Sequence, residues 1–253
     1  MISPAILSLA ENANTHSPVG PNHERIENEC FVLWMGPSVH PAYNVVQRLR
    51  LTPESIDATI ADVHALLHER GRAACSWEVG SSATPANLIE RLRERGLVDD
   101  ADPDVAAMVL PAPPPPAPAG NEARPVRNVD EYIAAKYVAD AAFAKPPEPD
   151  WVERWRDGWA QEQEFGRTMT FAALLDGRIV AHATSTYTAH GVTLNGGATL
   201  PDARAAAPTA RSCRRVGTTP SSAAFRFSSR RPGQCPSRSW SGSASPKLRA
   251  SGS

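Results

Sequence analysis

Three side chains that can exchange a proton, His182, Tyr187 and His190, lie in or beside two apolar stretches of the sequence. These stretches are residues 179–187 and 192–200. A histidine or tyrosine beside a reacting amine can act as a general base or acid, so proton transfer is the chemistry that these groups could support. Each of them is equally typical of a side chain that only packs or hydrogen-bonds within a sheet. The sequence therefore identifies no catalytic residue.

Metal chemistry has weaker support in the sequence. His64 and His68 are four residues apart on a predicted helix, but Ala-Leu-Leu stands between them, without the glutamate of a zinc-protease motif. The four cysteines show no C-x-x-C spacing. We predict no metal site and no disulfide framework, and unpaired cysteines are typical of proteins in the reducing cytoplasm.

The proton-exchanging residues belong to a predicted run of three strands. Asp176-Gly177 lies between two apolar segments, and this pair favours the positive φ angles of a two-residue hairpin turn. Residues 171–175 and 179–187 are the two arms of this hairpin, and residues 192–200 form the third strand. The third strand contains Gly196-Gly197, which predicts a bulge or a place where another group approaches the backbone closely.

Two helices are predicted before this sheet. Residues 123–129 form a strand, after which Asp130 is expected to cap a helix over residues 131–144. Trp151, Trp155 and Trp159 then recur every four residues, so all three fall on one face of a second helix. Packing of this face against the sheet is the interpretation that we prefer.

The first part of the chain predicts a separate lobe. Residues 26–110 alternate short apolar strands with two amphipathic helices, which indicates a layered α/β lobe with Trp77 in its core. Residues 111–123 form a proline-rich linker, for which a stiff spacer is favoured over a ligand of proline-recognition domains. Residues 1–25 have no periodicity and are predicted to be irregular. No apolar segment has the length of a membrane-spanning helix, about 20 residues.

The order of strand, two helices and three antiparallel strands, followed by Pro201-Asp202-Ala203-Arg204, resembles the GCN5-related N-acetyltransferase (GNAT) family. This resemblance implies an α/β (α+β) fold with a mixed, mostly antiparallel sheet flanked by helices. Residues 124–204 match the amino-terminal half of such a domain. Residues 26–110 resemble a degenerate copy of its carboxy-terminal half, which gives a protein of two lobes.

The resemblance also implies a function, the transfer of an acetyl group from acetyl-CoA to an amine of a small molecule or a protein. The backbone of Gly197, Ala198, Thr199 and Leu200 would run alongside the pantetheine arm. Arg204 would begin the loop that binds the pyrophosphate. The tryptophan face of the second helix could line a pocket for the acceptor, although packing remains the preferred interpretation.

The sequence departs from the family after Arg204. The family's loop usually has Gln or Arg, two residues, Gly, one residue, and then Gly or Ala. This chain instead continues with four residues that include no glycine, Ala205-Ala206-Ala207-Pro208. Asp202 is the last acidic residue, so residues 1–204 have 17 bases and 27 acids, a net charge of −10, whereas the tail has nine bases and no acid. We predict that residues 205–253 are a disordered basic tail.

A displaced reading frame explains this tail. When each codon is shifted by one nucleotide, residues 205–213 permit the spelling G-R-G-A-Y-R-A-L-V, which with Arg204 resembles the family's loop and the helix after it. Residues 239–245 permit L-E-R-L-G-F, which resembles the end of a late helix of the family. We interpret the tail as a frameshift that removes the carboxy-terminal half of the second lobe. The protein as written is then expected to bind acetyl-CoA poorly or not at all.

The alternative is a protein that is not an enzyme. In that interpretation the acidic globular part carries a natural basic arm that binds polyanions nonspecifically, since the tail lacks the aromatic residues of a sequence-reading module. No membrane partner and no specific nucleic acid are predicted. The sequence does not identify the acceptor, because the same fold serves many amines.

Overall fold

The computed structural model describes residues 3–99, 105–110, 112, 122–143, 150–206, 223–226, 243–245 and 247–251. The helices in these ranges are α1 Pro4–Glu11, α2 Ala13–His16, α3 Ile56–Glu69, α4 Leu88–Glu94, α5 Val129–Ala142 and α6 Trp151–Phe165, with short 3-10 helices at Pro41–Tyr43 and Pro201–Ala206. The first seven strands are β1 Glu24–Glu27, β2 Val32–Met35, β3 Asn44–Gln47, β4 Ala74–Glu78, β5 Val98–Asp99, β6 Val105–Leu110 and β7 Glu122–Pro125. The other six are β8 Thr168–Leu175, β9 Arg178–Thr188, β10 Gly191–Thr199, β11 Ala223–Arg226, β12 Ser243–Ser245 and β13 Lys247–Ser251.

The chain divides into two compact units. The N lobe contains residues 11–108 and 228–253, and the C lobe contains residues 1–10 and 109–227. Both lobes combine helices with sheets in which antiparallel pairing predominates. The prediction of a mixed, mostly antiparallel α/β fold is therefore confirmed. None of the described helices is both long enough and apolar enough to cross a membrane.

The sheet of the N lobe has the strand order β1-β2-β3-β4-β13-β5. Its one parallel pair in the described ranges joins β3 to β4, and α3 is the crossover helix between them. Ile56, Val63 and Leu67 bury one face of α3, because spacings of seven and four residues return to the same side of a helix. Trp77 on β4 has no exposed surface, which confirms that it is a core residue.

Three segments of the tail are strands, which corrects the prediction of disorder for these segments. β13 pairs with β4 over five residues and also with β5, whereas β12 pairs with β6 and β11 with β10. The prediction rested on the low apolar content of the tail. Strand pairing uses main-chain N–H and C=O groups, which nearly every residue type supplies, so composition did not reveal it.

The first 25 residues are not irregular, because they contain α1 and α2. Helix α2 has only four residues, and hydrogen bonds from distant residues hold it in place. The Arg25 guanidinium donates to the carbonyls of Thr15 (3.0 Å) and Ser17 (2.9 Å), and Arg48 N–H donates to Asn12 Oδ1 (2.9 Å). Periodicity alone could not predict helices that depend on these contacts.

In the C lobe, five strands follow the order β7-β8-β9-β10-β11. The first three pairs are antiparallel, and β10 pairs with β11 in parallel. Asp176 and Gly177 connect β8 to β9 with φ angles of 51° and 79°. Positive φ at both central residues is the feature of the two-residue hairpin that the sequence predicts.

Helix α5 begins with a different cap from the one predicted. Asn128, rather than Asp130, has extended backbone angles and accepts a hydrogen bond from Glu131 N–H through its side chain (2.9 Å). Asp130 lies inside the first turn, where its charge favours the positive end of the helix dipole. The helix ends at Ala142, two residues before the predicted end.

Candidate functional site

The centre of the candidate site is a bulge in β10. Between the pairs Asn195↔Thr184 and Ala198↔His182, β10 has two residues where β9 has one. The two residues are Gly196 and Gly197, and the φ angle of Gly196 is +63°. A side chain disfavours this left-handed conformation, so glycine permits the bulge. The sequence prediction of a bulge at this glycine pair is confirmed.

His182 on β9 holds the bulge in place. Its side chain is buried, with Nδ1 2.9 Å from the Gly196 carbonyl oxygen and Nε2 3.3 Å from Thr184 Oγ1. Burial, and then the nearby charge of Lys136, lower the pKa of His182 to about 3. The ring is therefore neutral at physiological pH, so Nδ1–H donates to Gly196 and Nε2 accepts from Thr184. A histidine with such a low pKa is a poor general base near neutrality.

The other two proton-exchanging residues lie elsewhere. Tyr187 is five residues from His182 along β9, about 16 Å in an extended strand. His190 is exposed in the turn that joins β9 to β10. The structure thus does not bring the three residues together.

The predicted cofactor residues 197–200 continue β10 beyond the bulge. Ala198 lies opposite His182, and Leu200 N–H donates to the Val180 carbonyl (2.9 Å). Because main-chain groups point in alternate directions along a regular strand, those of Thr199, next to Leu200, face away from β9. On that side the parallel register with β11 covers only Val192 to Leu194 among the described residues. The edge of β10 after the bulge thus lies beyond the last registered pair with β11.

Arg204 lies in the 3-10 helix Pro201–Ala206, directly after β10. Its Nε donates to the Thr199 carbonyl (3.2 Å) and its Nη2 to the Ala142 carbonyl at the end of α5 (3.4 Å). The guanidinium therefore binds main-chain oxygens and connects the ends of β10 and α5. The next residues of the predicted phosphate loop, Ala207 and Pro208, lie outside the described residues.

Beside this 3-10 helix, Asp202 accepts a hydrogen bond from Arg178 Nη2 at the start of β9 (2.6 Å). This contact with Arg178 lowers the pKa of the Asp202 carboxyl. Both side chains are more than half exposed, so the pair is open to solvent screening.

A buried polar cluster under α5 was not predicted. Glu162 on α6 is 8% exposed and accepts hydrogen bonds from Thr170 N–H and Oγ1, both at 2.7 Å. Lys136 Nζ lies 4.9 Å from the centre of the Tyr132 ring. Burial lowers the pKa of Lys136, although the charges of Glu162 and Asp140 oppose this shift. The one signal in the sequence is a lysine four residues after a tyrosine on the buried face of the helix.

A cleft of about 660 Å³ opens between α5, α6 and the start of β9. One face of α5 forms a wall through Asp130, Ala134 and Tyr137, whose spacing of three or four residues places them on the same side. Trp151 and Arg156 contribute from α6. The remaining residues that line the cleft are Ile133, Val138, Val152, Arg178, Ile179 and Leu200. Leu200 thus belongs both to the predicted cofactor strand and to the cleft.

The three tryptophans of α6 have different environments. Trp155 and Trp159 pack against the core residues around Tyr132, and the Tyr132 and Trp159 rings are 5.6 Å apart. Trp151 contacts Trp155 at 4.4 Å and also lines the cleft. Packing against the sheet, the preferred interpretation, holds for Trp155 and Trp159, whereas Trp151 faces the cleft.

Metal-binding geometry is absent from the described part of the chain, where no three His, Cys, Asp or Glu side chains form a group that could hold an ion. His64 and His68 both lie on α3, as predicted.

Comparison with solved structures gives full-length similarity to acetyltransferases. A GCN5-related N-acetyltransferase from Kribbella flavida superposes with a TM-score of 0.66 at 18% identity, covering 100% of this chain and 98% of its own. A GCN5-related N-acetyltransferase from Sphaerobacter thermophilus gives 0.58 at 15% identity, covering 88% and 81% of the two chains. A tandem GNAT protein from the clavulanic acid biosynthesis pathway gives 0.56 at 11% identity, covering 97% and 93%.

The chain has the GNAT fold. Protein-family models give no match to the sequence, and neither do curated proteins. The likeness is therefore one of structure, and it extends over both lobes because the superpositions cover nearly the whole chain.

Within this GNAT fold the five predicted cofactor residues form two groups. Gly197, Ala198, Thr199 and Leu200 lie on a strand edge that begins at a glycine bulge, which suits a ligand that runs along the backbone. Arg204 directs its guanidinium to the carbonyls of Thr199 and Ala142. The strand residues thus follow a bulge at the edge of β10, whereas the guanidinium of Arg204 is already hydrogen-bonded to main-chain oxygens.

Proposed function

We propose that the C lobe transfers an acetyl group from acetyl-CoA to an amine. The bulge of β10 is the observation that carries this proposal. It turns the strand at Gly196 and Gly197, and the register with β11 ends at Leu194, before the bulge. A strand edge in this position offers main-chain hydrogen bonds to the amides of a pantetheine arm.

The reaction needs a donor for the negative charge that develops on the thioester oxygen. We assign this role to the N–H of Gly197 in the bulge, because this residue has no side chain and a carbonyl group can approach it closely. Acetyl-CoA supplies the activated acetyl group. The amine first loses a proton to solvent, its nitrogen then bonds to the carbonyl carbon, and the carbon–sulfur bond breaks. The sulfur takes the second proton of the amine, which gives an amide and free CoA thiol.

His182 acts in this proposal as a positioning residue. Its neutral ring donates to the Gly196 carbonyl and fixes the conformation of the bulge. Loss of that hydrogen bond would move Gly197 N–H relative to the thioester oxygen, although His182 itself need not touch the substrate.

The phosphate end of the site is expected to be weak. A pyrophosphate loop needs successive N–H groups and glycine, but the chain has Ala207 and Pro208 after Arg204, and proline has no N–H. We propose that a displaced reading frame after Arg204 has removed this loop. The protein as written then retains the strand edge but holds acetyl-CoA weakly.

Two measurements test this proposal. Isothermal titration of the protein with acetyl-CoA should give a dissociation constant weaker than micromolar, and tight binding would contradict the loss of the phosphate loop. Sequencing of the gene beyond the Arg204 codon should reveal a long open reading frame, displaced by one nucleotide, that encodes the loop sequence G-R-G-A-Y-R-A-L-V. A protein that is translated in that frame should bind acetyl-CoA and acetylate amines, and failure to do so would contradict the transferase function.

The charge of the tail favours a second candidate, a basic arm that binds polyanions. Nine bases without an acid follow Arg204. Binding to single-stranded DNA that weakens steeply with added salt would support this function, because it reports the release of counterions. For both candidates we propose a cytoplasmic protein with no membrane partner.

A further inference from the structure

The cleft between α5 and α6 has an aromatic wall. Tyr137 is 55% exposed, although it is a large side chain, and its ring centre lies 6.2 Å from that of Trp151. Ile133 and Ile179 add apolar surface to the same cleft. Aromatic and aliphatic side chains in a concave site favour the binding of a small apolar group.

The charged residues of the cleft differ in their partners. Arg178 is paired with Asp202 outside the lining (2.6 Å). Arg156 and Asp130 both line the cleft, and neither has an ion-pair partner in the part of the chain that the structure describes. The cleft thus presents one cation and one anion that are available to a ligand, together with an aromatic surface.

We propose that this cleft binds an amino acid with an aromatic or large apolar side chain. Its carboxylate would pair with Arg156, its ammonium group with Asp130, and its side chain would pack against Tyr137 and Trp151. A guanidinium is well suited to a carboxylate because its N–H groups match both oxygens. This inference rests on the proposed function in one respect, since the amino group of the ligand would be the one that is acetylated.

Isothermal titration of the full chain with three related probes tests the inference. L-phenylalanine carries the ring and both charges, phenethylamine lacks the carboxylate, and 3-phenylpropanoate lacks the amine. We expect L-phenylalanine to bind about tenfold more tightly than either analogue, because each analogue loses one charged hydrogen-bonded contact. Equal affinities for the three probes, or no binding of L-phenylalanine at millimolar concentration, would overturn the inference.

Substitutions test which residue of the cleft binds each charged group of the ligand. Arg156→Gln should weaken L-phenylalanine and 3-phenylpropanoate but leave phenethylamine unchanged. Asp130→Asn should have the complementary effect, weakening the two amines only. Tyr137→Ala should weaken all three probes, and its exposure makes a loss of folding unexpected, which circular dichroism will verify. Arg167→Gln removes an exposed arginine outside the cleft and is the matched control. Equal effects of Arg156→Gln and Arg167→Gln would also contradict the inference.

This experiment contains no acetyl-CoA, so its outcome is independent of the transferase proposal. Binding of L-phenylalanine, together with no acetyl transfer by the protein that is translated in the neighbouring frame, would preserve the amino acid site and reject the acetyl transfer. Binding of acetyl-CoA without selectivity among the three probes would preserve the transfer and reject the amino acid site.

Discussion

The two lobes share a structural feature that they use differently. Each has a parallel strand pair beside antiparallel ones, β3 with β4 in the N lobe and β10 with β11 in the C lobe. In the N lobe the chain leaves β3 at Arg48, whose φ is +53°, and continues into the core with Leu49 and Leu51. Trp77 on β4 is fully buried there.

In the C lobe, the chain that continues from the parallel pair is less buried. β10 continues beyond a glycine bulge, and Leu200 at its end lines a cleft instead of being fully buried. The C lobe thus has the glycine pair Gly196 and Gly197 where the N lobe has the buried side chains of Leu49 and Leu51. The comparison shows that this part of the N lobe is closely packed, whereas in our proposal the C lobe uses it to bind acetyl-CoA.

The largest effect that we predict concerns the packing of the N lobe. Trp77→Ala should lower the free energy of unfolding by about 3–5 kcal/mol, because it leaves a cavity in a closely packed core. Urea unfolding followed by circular dichroism measures this loss, and Trp77→Phe should lose clearly less. A loss of below about 1 kcal/mol, which is typical of surface positions, would contradict the view that the N lobe is filled.

Removal of β13 is expected to have the next largest effect. A chain that ends at Pro246 lacks the strand between β4 and β5 and its main-chain hydrogen bonds to both neighbours, so it should lose on the order of 3 kcal/mol. Removal of residues 252–253 alone is the control. Equal stability of both truncated chains would show that β13 contributes nothing to the N lobe.

The pH dependence of stability tests the state of His182 in the C lobe. Its pKa of about 3 in the folded protein lies below the ordinary 6.5, so the unfolded chain binds the proton first as the pH falls. The contribution of neutral His182 to the free energy of unfolding is therefore present in full above pH 6.5. About 2 kcal/mol of this free energy should be lost by pH 5. Denaturant unfolding from pH 8 to pH 4 measures this loss. His182→Gln should remove most of it, and an unchanged pH profile in the variant would show that His182 is not the buried neutral group.

The smallest effect is expected at the bulge. Gly196→Ala should cost about 1 kcal/mol, since alanine disfavours a φ of +63°. Gly197→Ala is the comparison, because Gly197 has no positive φ. Thermal unfolding of the two variants measures the difference, and identical midpoints would indicate that the bulge does not depend on the conformation of Gly196.

The sequence predicted those features of the C lobe that depend on neighbouring residues. Asp176-Gly177 identified the hairpin and Gly196-Gly197 identified the bulge, because positive φ angles and bulges have strong local preferences. Trp77 was predicted as a core residue from its place in an apolar strand. The two lobes were predicted from the strand and helix pattern of residues 26–110, the proline-rich linker at residues 111–123 and the resemblance to the GNAT family.

Features that depend on distant contacts were not predicted. The charge of Glu162 acts on Lys136 although the two residues are far apart in sequence, and no local pattern reports such an interaction. The cap at Asn128 depends on backbone angles that Asp130 does not have. The tail strands depend on main-chain pairing, for which composition is uninformative. The ion-pair partners that distinguish Arg178 from Arg156 likewise follow only from the folded arrangement.

Hydrogen–deuterium exchange with and without millimolar acetyl-CoA tests the central claim, that the strand edge after the β10 bulge binds the thioester. We predict slower exchange at residues 197–200 when acetyl-CoA is present, and no change at β3 of the N lobe. Unchanged exchange at residues 197–200 at a saturating concentration, or protection confined to β3 and β4, would contradict it.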